Sequence, residues 1–321
     1  MRQYFIARFL SIIPKLLVIT MLIFFGLKLL PGDPLARLVN PEEMSGASLE
    51  QMEAKREELG LNDPVIVQYV RWLGNMLKGD FGYSLTSHSP VRKIIAQRFP
   101  ATLEICGLAM IFAAFFGLLM GCQCARHRNT ALDYGNTVIG LIGSSFPGFF
   151  VAMCLIMLFA LKLKWLPTGG RMTVGETGLL ARLKYMVLPS FCLGFSMIAN
   201  VMRMTRDSML DVMNRDYITT ARAKGEKEGV IFAKHVFRNG CTPVILLLIG
   251  RFSLLVGGST IIETVFNYPG MGMLMITSIS ASDYQVAMMV LLLAAVMVLL
   301  LSAVGDVIIA LLDPRVRFGK A

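Results

Sequence analysis

Four long stretches of the chain carry no charge. Twenty-one residues separate Glu104 from Arg126, 28 separate Asp133 from Lys162, 18 separate Lys184 from Arg203 and 22 separate Asp283 from Asp306. A helix crosses the roughly 30 Å hydrocarbon layer with about 20 residues, so each stretch is long enough, or nearly so, to span. Two further apolar stretches tolerate interior cations. Residues 9–30 hold Lys15 and Lys28, both near enough to an end to snorkel, and residues 241–263 hold Arg251 near the middle. The pattern predicts six spans, at about 9–30, 101–124, 136–161, 185–203, 241–263 and 284–311.

Composition agrees with that pattern. Of 321 residues, 55% are apolar and only 16% charged, with a mean hydropathy of +0.64, against about 25% charged in an ordinary soluble protein. Disorder, a collagen-like repeat and a small disulfide scaffold are excluded. The expected class is an all-α polytopic membrane protein. Arg2 and Arg8 before the first apolar stretch resemble a secretory leader, but the stretch is too long and Leu29-Leu30-Pro31-Gly32-Asp33-Pro34 lacks a small-x-small cleavage pattern. It reads as an anchor.

Lysine and arginine in the loops set the orientation. With both termini cytoplasmic, the inner segments hold fifteen of them, eight in residues 203–240 alone; the outer 162–184 loop holds five and the 264–283 loop none. The five are a counter-signal. Residues 31–100 carry eight basic and nine acidic residues and are too long to vote. The formal charge of +10 is therefore a membrane-protein bias, and no basic stripe with interleaved aromatics suggests nucleic acid. The expected organisation is an anchor at 1–30, an extracytoplasmic helical cap at 31–100, a five-helix core at 101–312 containing the cytoplasmic loop 203–240, and a cytoplasmic tail at 313–321.

Both polar segments look folded. In the cap, Ser48 with Gln51 resembles a capping box and Gly60 would end that helix. Asn62-Asp63-Pro64 opens a second helix with Ile66, Tyr69, Val70, Leu73 and Leu77 on one face. Ser89-Pro90 starts a third, amphipathic and interfacial, stopped by Pro100. Such a cap suits docking of a soluble partner, or simply packs on its own helices. In the inner loop, a short helix is expected from Asp216 through Tyr217, Ile218, Thr219, Thr220, Ala221, Arg222, Ala223 and Lys224, with Gly225 ending it by taking φ > 0. Small residues at Thr220, Ala221 and Ala223 would let it sit against a partner surface. A solvated charged loop is the other reading.

No catalytic set emerges. A phosphate loop ending in Gly-Lys-Ser/Thr is absent, so the chain is not expected to bind ATP. Gly270-Met271-Gly272 reads as turn chemistry, and His88, His127 and His235 fall in three different loops, against a metal site. The six cysteines lie in or at the ends of spans and read as small apolar residues.

Motifs along nearly the whole chain resemble the membrane subunits of ATP-binding-cassette importers of the dipeptide, oligopeptide and nickel class. They are Pro31-Gly32-Asp33-Pro34, Leu59-Gly60-Leu61-Asn62-Asp63-Pro64 with Gln68-Tyr69, Gly79-Asp80-Phe81-Gly82, Pro100-Ala101-Thr102-Leu103-Glu104, Leu166-Pro167 before Gly169, and Arg203-Met204-Thr205-Arg206 with Ser208-Met209-Leu210. Asp216-Tyr217 and Thr220-Ala221-Arg222-Ala223-Lys224-Gly225 follow, then His235, Arg238-Asn239, Glu263-Thr264-Val265-Phe266, Pro269-Gly270-Met271-Gly272 and Asp313-Pro314-Arg315. The wider superfamily opens its inner loop with Glu-Ala-Ala and a glycine four residues later. Here Thr219-Thr220-Ala221 and Gly225 keep the spacing without the glutamate, as in the peptide branch.

The resemblance implies a type I importer permease fold in a bacterial inner membrane, with residues 216–225 as a coupling helix. It implies a second homologous permease as partner, two cytoplasmic ATPases that bind the ATP and Mg, and an extracytoplasmic substrate-binding protein. This chain would carry no cofactor and no enzymatic activity of its own. Peptides are the expected cargo, with nickel chelates or glutathione as alternatives and a carrier or channel without an ATPase as the rival class. Arg251 stands apart. A guanidinium near the bilayer centre costs at least about 2.5–3.5 kcal/mol on insertion scales, so it pairs with a carbonyl or an acid such as Glu104 or Asp306, or it lines the path and meets a substrate carboxylate.

Overall fold

The computed structural model describes residues 9–29, 49–58, 60–172 and 178–312. Pro31-Gly32-Asp33-Pro34, Ser48, Leu59, Asp313-Pro314-Arg315 and the tail lie outside them. The described helices are α1 (Ile12–Lys28), α2 (Leu49–Glu58), α3 (Val65–Leu77), α4 (Val91–Arg126), α5 (Ala131–Ser145), α6 (Gly148–Leu155), α7 (Leu179–Met213), α8 (Asp216–Ala223), α9 (Glu228–Ile231), α10 (Arg238–Gly258), α11 (Thr260–Val265), α12 (Met271–Ser280) and α13 (Tyr284–Leu312). π-Helical turns at Ile156–Lys162 extend α6, and others at Phe232–Phe237 join α9 to α10. Among the described residues there is no strand, only an isolated bridge between Tyr83 and Pro90.

Four helices are long and apolar enough to cross a membrane without a break: Val91–Arg126, Leu180–Met213, Glu228–Gly257 and Tyr284–Ile308. A shorter apolar helix covers Ile12–Gly26, where the first span is expected. The span expected at 136–161 is not straight. Its two halves, α5 and α6 with its π turns, meet at 103°. Pro147 explains the break: it has no N–H to give and pushes the preceding residue out of the helical region, and Phe146 accordingly sits at φ −82°, ψ 136°. Pro100 does the opposite of what its position suggests. The expected interfacial helix does not stop there; α4 runs from Val91 to Arg126 with Pro100 inside it. Pro189 and Pro243 are likewise carried inside α7 and α10, as long membrane helices tolerate.

The chain divides into two compact units. One combines Met1–Thr102 with Pro269–Leu300 and the other Leu103–Tyr268 with Leu301–Ala321. In the first, α3 packs on α1: the Phe24 ring meets Tyr69 and Trp72 with centroids 5.5 and 5.4 Å apart, and the Tyr69 and Thr20 hydroxyls lie 2.8 Å from one another. Of the apolar face expected on α3, only Tyr69 is buried, while Ile66, Val70 and Leu77 are exposed. Asp283 caps α13 and accepts hydrogen bonds from the Ser84 hydroxyl at 2.5 Å and the Thr86 hydroxyl at 3.2 Å.

In the second unit α7 is the central post, packed by both α5 and α10. Its approach to α4 is set by small residues. A Cβ at Gly121 would lie 2.7 Å from the Met202 carbonyl oxygen, and one at Gly194 only 2.6 Å from that of Ala109. Both glycines stand where backbones touch, the arrangement that drives helix association in lipid.

Candidate coupling helix and membrane groove

Helix α8 forms over Asp216–Ala223, as its sequence predicts, and its end is closed by a full backbone motif. The Gly225 N–H donates to the Arg222 carbonyl at 2.9 Å and the Glu226 N–H to the Ala221 carbonyl at 3.3 Å. This 5→2 and 6→1 pair is the Schellman closure, which requires a left-handed residue. Gly225 supplies it at φ +79°, with open space where a Cβ would stand.

The faces of α8 are unequal. Ile218 and Ala221 are buried in a cluster with Ala125, Met209, Val212, Ile231 and Val236. Ala221, expected to permit close approach of a partner, therefore faces its own chain. Asp216, Tyr217, Thr219, Thr220, Ala223, Lys224 and Gly225 are left exposed. Arg222 is exposed but occupied: its Nε donates to Glu228 Oε1 at 2.8 Å, which raises its pKa further above the ordinary value. His235 reaches Glu226 at 3.3 Å, and Asn239 donates to the His235 carbonyl at 2.8 Å.

The cluster beneath α8 is tied to the membrane by an ion pair that sequence reading missed. Arg206 of α7 grips Asp133 of α5 with two prongs, Nε to Oδ1 at 2.8 Å and an Nη to Oδ2 at 2.9 Å. The Asp133 side chain is 4% exposed and also accepts from the Asn129 N–H at 3.0 Å. Met209 and Val212, on the same helix just beyond Arg206, are in the core on which α8 rests.

A second polar cluster joins α4 to two connecting segments. Arg171 binds both oxygens of Glu104, at 2.7 and 3.1 Å, and the Tyr268 hydroxyl donates to Glu104 at 3.1 Å. The hydrogen bond to Glu104 raises the Arg171 pKa. Burial pushes the Tyr268 phenol up, and the Glu104 charge adds to the shift. The Gly170 N–H donates to the Phe266 carbonyl at 2.9 Å, and Gly169 lies so close to that carbonyl that a Cβ would collide with it.

Glu104 is thus engaged elsewhere and does not serve Arg251. Arg251 is exposed on α10, about two turns before the helix ends at Gly258. No described residue forms an ion pair or hydrogen bond with its side chain. It lines a groove enclosing about 520 Å³, whose wall includes Pro147 and Gly148 at the break, Cys192 and Met197 of α7, and Leu255 and Ile262.

Comparison with known proteins decides what this arrangement belongs to. Residues 113–318 match the family described as the binding-protein-dependent transport system inner membrane component, and residues 1–106 match its N-terminal region. The chain belongs to that family. It is an importer permease of the ATP-binding-cassette class. The oligopeptide transport system permease protein AppB of Bacillus subtilis is 39% identical over 99% of this chain and all of its own length. The glutathione transport system permease protein GsiC of Escherichia coli K12 is 37% identical, again over 99% and 100%. Among solved structures, inward-facing MetNI, a methionine ABC transporter, superposes on 70% of this chain and 98% of its own with a TM-score of 0.58 at 19% identity. That likeness shows the fold.

The permease family accounts for a multi-pass inner-membrane protein. In this permease the break at Pro147 could have been found in the sequence, because Pro147-Gly148 interrupts an otherwise apolar run. The Asp133–Arg206 pair could not: its partners lie 73 positions apart and only the packing of α5 on α7 brings them together.

Proposed function

We propose that this permease imports peptides, sharing a translocation path with a second, homologous permease. Two cytoplasmic ATPases hold the ATP and Mg, and a soluble binding protein delivers cargo outside. The observation that carries the peptide reading is full-length identity of 37–39% to permeases named for oligopeptides and glutathione, the latter itself a tripeptide. The excess of basic residues in segment 203–240 and near both termini supports a cytoplasmic location for them, with α8 facing the ATPases. ATP-driven closure of the ATPases pushes α8, and the cluster of Ile218, Ala221, Met209 and Val212 passes the push to α7. The spans then rock between outward and inward openings.

The exposed face of α8 is the place to test this. Thr220→Trp and Ala223→Trp each add bulk where a partner must approach, without touching the cluster beneath. Both variants are expected at parental membrane levels, with ATPase subunits lost on co-purification or with ATP hydrolysis no longer stimulated by loaded binding protein. Parental stimulation and peptide uptake in both would remove the coupling role of α8. Cargo is read separately, in vesicles containing the parent complex: failure to accumulate either trialanine or glutathione would sink the peptide reading.

A further inference from the structure

Three features meet at one place inside the membrane region. A span is broken at Pro147, a groove opens beside the break, and a guanidinium without a partner among the described residues lines that groove. Elsewhere in the same unit Arg206, towards the inner end of α7, is satisfied by Asp133. Discontinuous helices in transporters mark places where backbone and side chains serve a solute instead of a neighbouring helix. Apart from the Ser196 hydroxyl the rest of the wall is mostly apolar: Leu254, Leu255 and Ile262 share the lining with Arg251, and Leu193, Met197 and Phe149 add to it. One cation among aliphatic walls suits a solute with one carboxylate and an apolar body. The complementary anion is held by charge-assisted, two-pronged hydrogen bonds, for which arginine has the matching fork.

We propose that this groove is a way-station for the free C-terminal carboxylate of a short peptide, bound by Arg251 during passage, with a neighbouring apolar side chain resting against Leu255 and Ile262. This rests on the peptide-importer reading and narrows it: the permease itself, besides the binding protein, discriminates on carboxylate charge. A carboxylate of the partner permease is the competing occupant, and it would make Arg251 an assembly residue.

The test uses the complete complex in proteoliposomes, with trialanine and its C-terminal amide as probes, each at a concentration that saturates the binding protein. The parent is expected to move the free acid about tenfold or more faster than the amide, the range of a charged hydrogen bond. Arg251→Gln is expected to assemble with its ATPases and to lose that preference, the rate for the acid falling far more than the rate for the amide. Arg251→Lys, which keeps the charge but loses the fork, should retain part of the preference. A parental preference in Arg251→Gln overturns the proposal, as does equal transport of acid and amide by the parent. Failure of Arg251→Gln to assemble while Arg251→Lys assembles also overturns it, in favour of the partner carboxylate. If the parent transports neither probe, the peptide reading falls first and this inference with it.

Discussion

Arg206 and Arg251 are two arginines on neighbouring helices of one compact unit, and the fold treats them in opposite ways. Arg206 lies against a nearly buried carboxylate, with both forks used and a backbone N–H completing the acceptor side. Arg251 has a groove and no described partner. Arg206, towards the inner end of α7, bears the desolvation cost of a partly buried pair, and Arg251 that of a cation in an apolar span. In the first case the cost is offset inside the chain, so the group adds to rigidity. In the second it is left standing, and a group left unsatisfied in that way is available to a solute.

The sharpest way to break the contrast is to orphan Arg206. Asp133→Ala leaves a partly buried guanidinium with only the exposed Asp207, 3.4 Å away, and removing one partner of a buried pair costs about 3–5 kcal/mol. The purified permease should melt far below the parent, and the further change Arg206→Met should recover much of the loss. A next effect comes from the helix seam that holds Arg206 in register. Gly121→Ala forces a methyl against the Met202 carbonyl, an overpacking expected to cost about 1–3 kcal/mol, read as reduced thermal stability and membrane yield. Smaller again is Arg206→Lys. It keeps the charge and loses the second prong, for an expected loss of about 1 kcal/mol. Smallest is Arg251→Met, which should leave the melting temperature of the purified permease where it was or raise it slightly. If Arg251→Met destabilises as much as Asp133→Ala, the two arginines are alike and the contrast is gone.

The regularities that sequence reading could use were local ones. Charge-free runs located the spans because the bilayer imposes a length, and α8 was bounded at both ends because Asp216 and Gly225 carry their own conformational preferences. The prolines were harder. Pro100, Pro189 and Pro243 sit within helices while Pro147 ends one, and the difference lies in the neighbours: Gly148 follows Pro147 and extended Phe146 precedes it, whereas Pro100 is followed by Ala101, Thr102 and Leu103 and the helix resumes. The orientation of Ala221 is not legible because Ile218 is the one aliphatic side chain larger than alanine in this eight-residue helix, too little to declare an inner face. Only the placement of Met209, Val212 and Ile231 beneath it decides that. Arg251 stands out in the sequence as a cation inside an apolar run, but the acid first offered to it, Glu104, is held by Arg171 and Tyr268.

The length of α7 has a mechanical consequence. Thirty-five residues of helix make a rod of roughly 50 Å, fastened near its middle by the glycine contact at Gly194 and further along by Arg206. Turning about the Gly194 contact and carrying Asp133 with it through Arg206, such a rod is a lever whose two ends move in opposite senses. A tilt of only about 10° would displace each end by roughly 4 Å, close to one helical turn's rise. An input of that size where Met209 and Val212 rest under α8 would therefore appear, undiminished and reversed in direction, at the far end beside Arg182, without any helix having to bend or unwind on the way.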